Sequence, residues 1–263
     1  NAYAKDNGKV TFVAGNTVNT GQKSLAFYTD DTGGIDFAGA ITANIAGGSD
    51  SNSRGTAFLY RGTGGGYTPF NSGTIGAWAT TRFNNMNNLT LNMAPGSRLF
   101  IAQNVAMDLS GTAPGGIAGA LPGVTFTGSN NYKTFMLYLS KLSLNQNINL
   151  DNPTDAYNKL EVSNSSIENN NSNTITGTSD GRVAIAQEND TTIVRDKVKL
   201  INSGNINLSG ANSTGIYGKF AEITNETTGT INVGATSAAI YGTTDSKLEN
   251  KGTMNLFHYM LFQ

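Results

Sequence analysis

The 263-residue chain has no cysteine, one tryptophan, one histidine and five prolines, and only 13% of it is charged. Without cysteine there are no disulfides, thiolate metal sites or cysteine nucleophiles, which suits a surface protein that avoids thiols in an oxidising place. The sole histidine, His258, lies in an aromatic segment, Phe257-His258-Tyr259, and reads as surface packing rather than as a base. Seventeen basic residues against 18 acidic ones leave a net charge of −1. No Lys/Arg cluster offers the footprint a phosphate backbone requires, so no nucleic-acid partner is expected. Nor does any apolar run approach the roughly 20 residues of a membrane-spanning helix. The densest, Phe135 to Leu139, is strand-length, and direct membrane insertion of this chain is not expected. Asn1 opens directly into polar sequence with no signal peptide, as in a mature form.

What is abundant is small and polar. Gly, Asn, Thr and Ser supply 118 residues, types that turn or hydrogen-bond locally and disfavour helix. Ile, Leu, Val, Phe and Tyr nevertheless recur at short intervals, so apolar surface is available to bury and disorder is not expected. The class is all-β.

Internal periodicity sets the architecture. Asn202-Ser203-Gly204-Asn205-Ile206-Asn207-Leu208 recurs as Thr228-Gly229-Thr230-Ile231-Asn232-Val233 and again as Lys251-Gly252-Thr253-Met254-Asn255-Leu256, aligning Ile206, Ile231 and Met254. Between these units Gly215-Ile216-Tyr217-Gly218 matches Ala239-Ile240-Tyr241-Gly242, 24 positions on. A third element, Leu200-Ile201-Asn202, Ile223-Thr224-Asn225 and Leu248-Glu249-Asn250, precedes each Asn/Gly turn. Upstream the pattern loosens. Leu25 to Tyr28, Ala57 to Tyr60, Phe135 to Tyr138 and Val183 to Ala186 read as counterparts of the Ile-Tyr strand. Period-two alternation puts Leu89, Leu91 and Met93 on one face, and likewise Val105, Met107 and Leu109.

A unit this short cannot bury its own apolar face, so successive units must stack, each strand pairing with its equivalent in the next turn of the chain. The expectation is one single-stranded parallel β-helix over 1–263, about 24 residues per coil and most regular over 140–256. Asn at the corners fits, because it tolerates left-handed turns and its amides can hydrogen-bond up a ladder. A β-sandwich with Asn/Gly loops is the alternative. Residues 44–76 and 110–132, rich in Gly and Pro, read as loops inserted between coils, where binding surfaces commonly arise.

No catalytic residue, metal site or cofactor is expected. Asp30-Asp31 is the only adjacent acidic pair and reads as a turn; a polysaccharide-acting β-helix enzyme using it is the runner-up function. Gly177-Thr178-Ser179-Asp180-Gly181 has the spacing of a nucleophile elbow but no histidine to activate Ser179, and reads as a turn between coils. Asp50-Ser51-Asn52-Ser53-Arg54-Gly55 opens like a calcium loop, yet Arg54 stands at a ligand position and would repel the ion. Tyr67, Phe70, Trp78 and Tyr132 lie in or beside the insertions and are the candidate binding residues, since aromatics anchor interfaces at low entropic cost. For Trp78 a core or cap position is the competing reading.

The units Asn202 to Leu208 and Ser213 to Gly218 resemble the repeats of large bacterial outer-membrane autotransporter adhesins of the fusobacterial type, and Ala2 to Phe12 is similar to the opening repeats of their passengers. The likeness is dense over residues 140 to 256 and fragmentary before that, and it carries no binding residue across. It implies a virulence-associated cell-surface passenger, exported and anchored by an outer-membrane β-barrel that this chain lacks. It further implies a host surface protein as partner, with a carcinoembryonic-antigen-related cell adhesion receptor as one candidate. A passive structural spacer is the third functional alternative. Phe257, Tyr259, Leu261 and Phe262 depart from the repeat and would be exposed unless they cap a coil.

Overall fold

Short strands separated by sharp corners follow from the alternation of branched or aromatic residues with Asn and Gly. Corner residues such as Asn85, Asn164 and Asn212 adopt left-handed backbone, with φ of 55°, 47° and 54°, which asparagine accommodates at little cost. After three strands the chain returns over its starting point, and every strand pairing among the described residues is parallel. The protein is an all-β parallel β-helix. The computed structural model describes residues 1–30, 32–62, 71–73, 82–110, 121, 123–153, 155, 157–194 and 196–256. Its compact units are two: Asn1–Met107 with Ala113–Tyr138 and Lys159–Glu161, and Asp108–Thr112 with Leu139–Asn158 and Val162–Gln263.

In the second unit the sequence period and the register coincide. Ile206 pairs with Ile231 and Ile231 with Met254; Leu200 pairs with Ile223 and Ile223 with Leu248; Ile216 pairs with Ile240 and Tyr217 with Tyr241. Ile206, Ile216, Ile223 and Ile231 are fully buried. A polar spine runs beside this core. Asn169 Nδ2 donates to Asn202 Oδ1 at 2.8 Å, Asn202 Nδ2 to Asn225 Oδ1 at 2.8 Å, and Asn225 Nδ2 to Asn250 Oδ1 at 2.9 Å. The ladder explains the glycine of the repeat. A Cβ on Gly229 would collide with the Asn225 side-chain oxygen and the Asn202 backbone carbonyl, and one on Gly252 with the Gly229 and Glu226 backbone carbonyls and then the Asn225 amide, so only glycine lets the chain turn against the spine.

The first unit is built on phenylalanine. The strands Ala2–Ala4, Leu25–Asp30, Thr56–Arg61, Arg98–Gln103 and Lys133–Tyr138 stack in that order. Phe27, Phe58, Phe100 and Phe135 lie over one another with ring centroids 5.6, 5.9 and 5.8 Å apart. Phe37 and Phe83 meet this column edge-on from the facing sheet. Each of these rings is at most 1% exposed, contributing up to about 3 kcal/mol by area burial. A third sheet carries Leu89, Leu91 and Met93 inward, as the alternation requires.

Two details of the sequence reading change. Phe27 pairs with Phe58, so Tyr28 lies opposite Leu59, one position away from an alignment of Leu25–Tyr28 with Ala57–Tyr60. Side chains alternate at every residue, so that slip reverses faces: Tyr28 points outward and Tyr60 is buried. The broken stretches also carry coil strands of their own. Ile41–Ile45 pairs with Leu89–Met93, Thr56–Arg61 with Leu25–Asp30, Asn71–Gly73 with Val105–Met107, and Thr125–Gly128 with Leu89–Met93. Of these, Thr56–Arg61 was legible as a strand through Ala57 to Tyr60, whereas glycine-rich flanks hid Asn71–Gly73 and Thr125–Gly128.

Candidate functional site

Of the four aromatic candidates, Tyr67, Phe70 and Trp78 lie outside the described residues, as do Asp31 and His258. Tyr132 is half-buried and stacks on Phe126 with ring centroids 6.3 Å apart and planes 7° apart. Burial pushes its phenol above the ordinary tyrosine range.

Among the described residues, a cluster of aromatic and charged groups on an outward face surrounds Asp30. Parallel register brings Tyr3 of Ala2–Ala4 opposite Tyr28 of Leu25–Asp30, and Asp30 opposite Arg61 of Thr56–Arg61. The two tyrosine rings stack, centroids 4.5 Å and planes 18° apart. Both hydroxyls donate to one oxygen, Asp30 Oδ2, at 3.3 Å from Tyr3 and 3.5 Å from Tyr28. Arg61 donates to that same oxygen through Nη2, while its guanidinium lies over the Tyr28 ring at 5.8 Å, within cation–π range. Burial by itself would raise the Asp30 carboxyl. The hydrogen bond and charge of Arg61, with help from Tyr3 and Lys5, outweigh it and hold the group below the usual carboxylate range. Burial pushes the Tyr28 phenol up to about 12, against the opposing pull of Arg61. A carboxylate held by three donors and stabilised in its ionised form is poorly disposed to trade a proton with a substrate.

Two further polar nodes shape turns. Glu161 receives Arg54 Nε at 3.1 Å on one oxygen and Arg98 Nε at 2.6 Å on the other. Arg98, only 4% exposed, also donates to the Ser51 carbonyl at 2.9 Å, and Arg54 donates to the Gly96 carbonyl at 2.7 Å. Asp50 Oδ1 accepts the backbone N–H groups of Asn52 and Ser53 at 2.9 and 3.0 Å. The calcium-like stretch is therefore a self-closed turn, tied into the coil by arginines. At the nucleophile-elbow look-alike, Asp151 accepts the Thr178 hydroxyl at 2.9 Å and Arg182 Nε at 2.8 Å, together with the backbone N–H of Thr178. The backbone N–H of Thr178 chiefly, then Ser179, the Thr178 hydroxyl and Arg182, hold its carboxyl well below the usual range. Among the described residues no group of three or more His, Cys, Asp or Glu could hold a metal ion, and no helix is long and apolar enough to cross a membrane.

Comparison of the chain with protein-family models, curated proteins and solved structures returns no match. The geometry therefore stands by itself. Sequence reasoning missed Arg61 and Tyr3 as partners of Asp30. The signal existed: placing Phe27 over Phe58 sets Asp30 opposite Arg61 three residues later. No comparable signal marks Glu161, which is 107 positions from Arg54 and 63 from Arg98.

Proposed function

We propose that the chain is passenger material of a bacterial outer-membrane autotransporter adhesin, a β-helical scaffold displaying loops that grip a protein on a host or neighbouring cell. The observation that carries this reading is a mismatch between register and chain length. In the second unit, paired positions such as Ile216 and Ile240 are 24 residues apart. In the first unit, Phe58 and Phe100 pair although 42 residues separate them. The coil keeps its register while carrying extra chain, as expected of a scaffold that tolerates projecting segments. The resemblance of Asn202 to Leu208 and Ser213 to Gly218 to autotransporter repeats supports the same reading and makes a carcinoembryonic-antigen-related cell adhesion receptor the first partner to try.

The test replaces residues 64–69 or 112–119 with short Gly-Ser linkers and measures attachment of the purified chain to cells that do and do not display such receptors. Attachment should fall to background in at least one replacement, with unchanged β-type circular dichroism and melting temperature. Undiminished attachment in both would remove the loops from the proposal. An intact chain that attaches to no cell type would favour the passive spacer.

A further inference from the structure

The outward faces of the two units share a device that the adhesive reading does not use. Tyr3 and Tyr28 lie in register on adjacent parallel strands, with rings stacked 4.5 Å apart. Tyr217 and Tyr241 do the same in the second unit, with centroids 5.8 Å and planes 31° apart. In each pair one ring is accessible: Tyr3 is 50% exposed and Tyr241 53%. In each pair a carboxylate orients a phenol, Asp30 taking both hydroxyls of the first pair and Glu188 Oε1 taking the Tyr217 hydroxyl at 3.2 Å. Each pair also joins an outermost strand to its neighbour. Among the described residues, Ala2–Ala4 is the last strand of the sheet that continues through Leu25–Asp30, and Ala238–Thr243 the last of the sheet of Val183–Glu188 and Thr214–Lys219. Outermost strands are paired on one side only and are where a sheet opens first.

We propose that Tyr3–Tyr28 and Tyr217–Tyr241 are oxidative cross-linking sites, each pair becoming a dityrosine when a haem peroxidase and hydrogen peroxide reach the protein. The peroxidase removes one electron from each phenol, and each phenolic proton leaves with it, giving two phenoxyl radicals. The radicals couple at ring carbons ortho to the oxygens, forming one carbon–carbon bond. The hydrogen on each coupled carbon then returns as a proton to its own oxygen, restoring two phenols. The pair has lost two hydrogens in all, and one hydrogen peroxide has become two waters. Register makes the coupling partner specific. Parallel neighbours lie about 4.8 Å apart, so each ring already faces its mate, and the two hydroxyls on Asp30 Oδ2 hold the first pair with like edges aligned. Elsewhere Tyr132 stacks on a phenylalanine rather than a tyrosine, and Tyr60 is only 2% exposed. The product would bolt each outermost strand to the coil beside it.

The full chain is treated with a haem peroxidase and limiting hydrogen peroxide, natively and in urea. Dityrosine fluorescence, peptide mass spectrometry and denaturing gels then locate the links. Native protein should give a monomeric product with Tyr3-to-Tyr28 and Tyr217-to-Tyr241 peptides each short of two hydrogens. Tyr3→Phe should remove only the first link and Tyr241→Phe only the second. Both variants keep their ring and should keep the wild-type circular dichroism. After cross-linking, amide exchange in Ala2–Ala4 and Ala238–Thr243 should slow by at least about tenfold. Native links scattered over the ten tyrosines as in urea, links only between molecules, or no dityrosine at all would overturn the proposal.

Discussion

Asparagine does two different jobs in this chain, and burial separates them. Asn202 is fully buried, donates to Asn225 Oδ1 and the Gly204 carbonyl, and accepts from Asn169. Its removal leaves a buried donor and acceptor unpaired, so Asn202→Ala should cost about 2–4 kcal/mol. Asn232 sits in an outer ladder, donating to Asn207 at 2.6 Å and accepting from Asn255 at 2.8 Å, where water replaces a lost partner, and Asn232→Ala should cost under about 1 kcal/mol. Urea denaturation of the two variants checks the contrast, and equal losses would remove the distinction. The buried spine stops at Asn169 because Leu144 occupies the paired position in the preceding coil, which leaves Asn169 Oδ1 without a partner. Asp30 supplies a pH signature. Its carboxyl lies below the ordinary range in the folded state, so its stabilisation is complete above the unfolded value of about 3.9 and is lost as pH falls through the lower folded value. Asp30→Asn should therefore flatten the acid limb of melting temperature against pH. An unchanged slope would show that Arg61 gains nothing from that charge.

At the level of the strand, inward positions carry the stability. Ile216 is fully buried between Ile185 and Ile240, so Ile216→Asp should place an uncompensated charge in the apolar core, cost several kcal/mol and abolish the cooperative melt of its unit. Ile240 is only half-buried, and Ile240→Asp should do visibly less. Equal, mild effects in thermal denaturation would mean that the coil does not pack as a stack. These strands were readable from the sequence because each carries its own period-two pattern and, after residue 200, an interval of 23 to 25 residues to the next copy. The phenylalanine column was not. Phe27, Phe58, Phe100 and Phe135 stand at intervals of 31, 42 and 35, and unequal loop lengths conceal a register that backbone pairing enforces. The surface chemistry around Asp30 was half legible: the acid stood out as one of a pair, while Arg61 became its partner only through a register the spacing obscured.

For the molecule as a whole, the relevant physics is that of a one-dimensional array, in which each coil is stabilised by the coils next to it. The second unit tests this, because its residues are near-identical from coil to coil while their burial is not. Leu200, Ile206, Leu208, Ile223, Ile231 and Val233 are at most 1% exposed, whereas their register equivalents Leu248, Met254 and Leu256 are 52%, 40% and 60% exposed. The same side-chain chemistry therefore yields much less burial energy in Lys247–Asn250 and Thr253–Leu256 than in Val198–Asn202 or Asn205–Leu208. If stability accrues by nearest-neighbour stacking, native-state hydrogen exchange should follow this gradient, with amides of the two exposed strands opening at least about tenfold more readily than those of the buried ones. Mass-spectrometric exchange on the intact chain measures this directly. Uniform protection from residue 198 to 256 would mean that the unit unfolds in one global step and that its strands are not independently stacked increments.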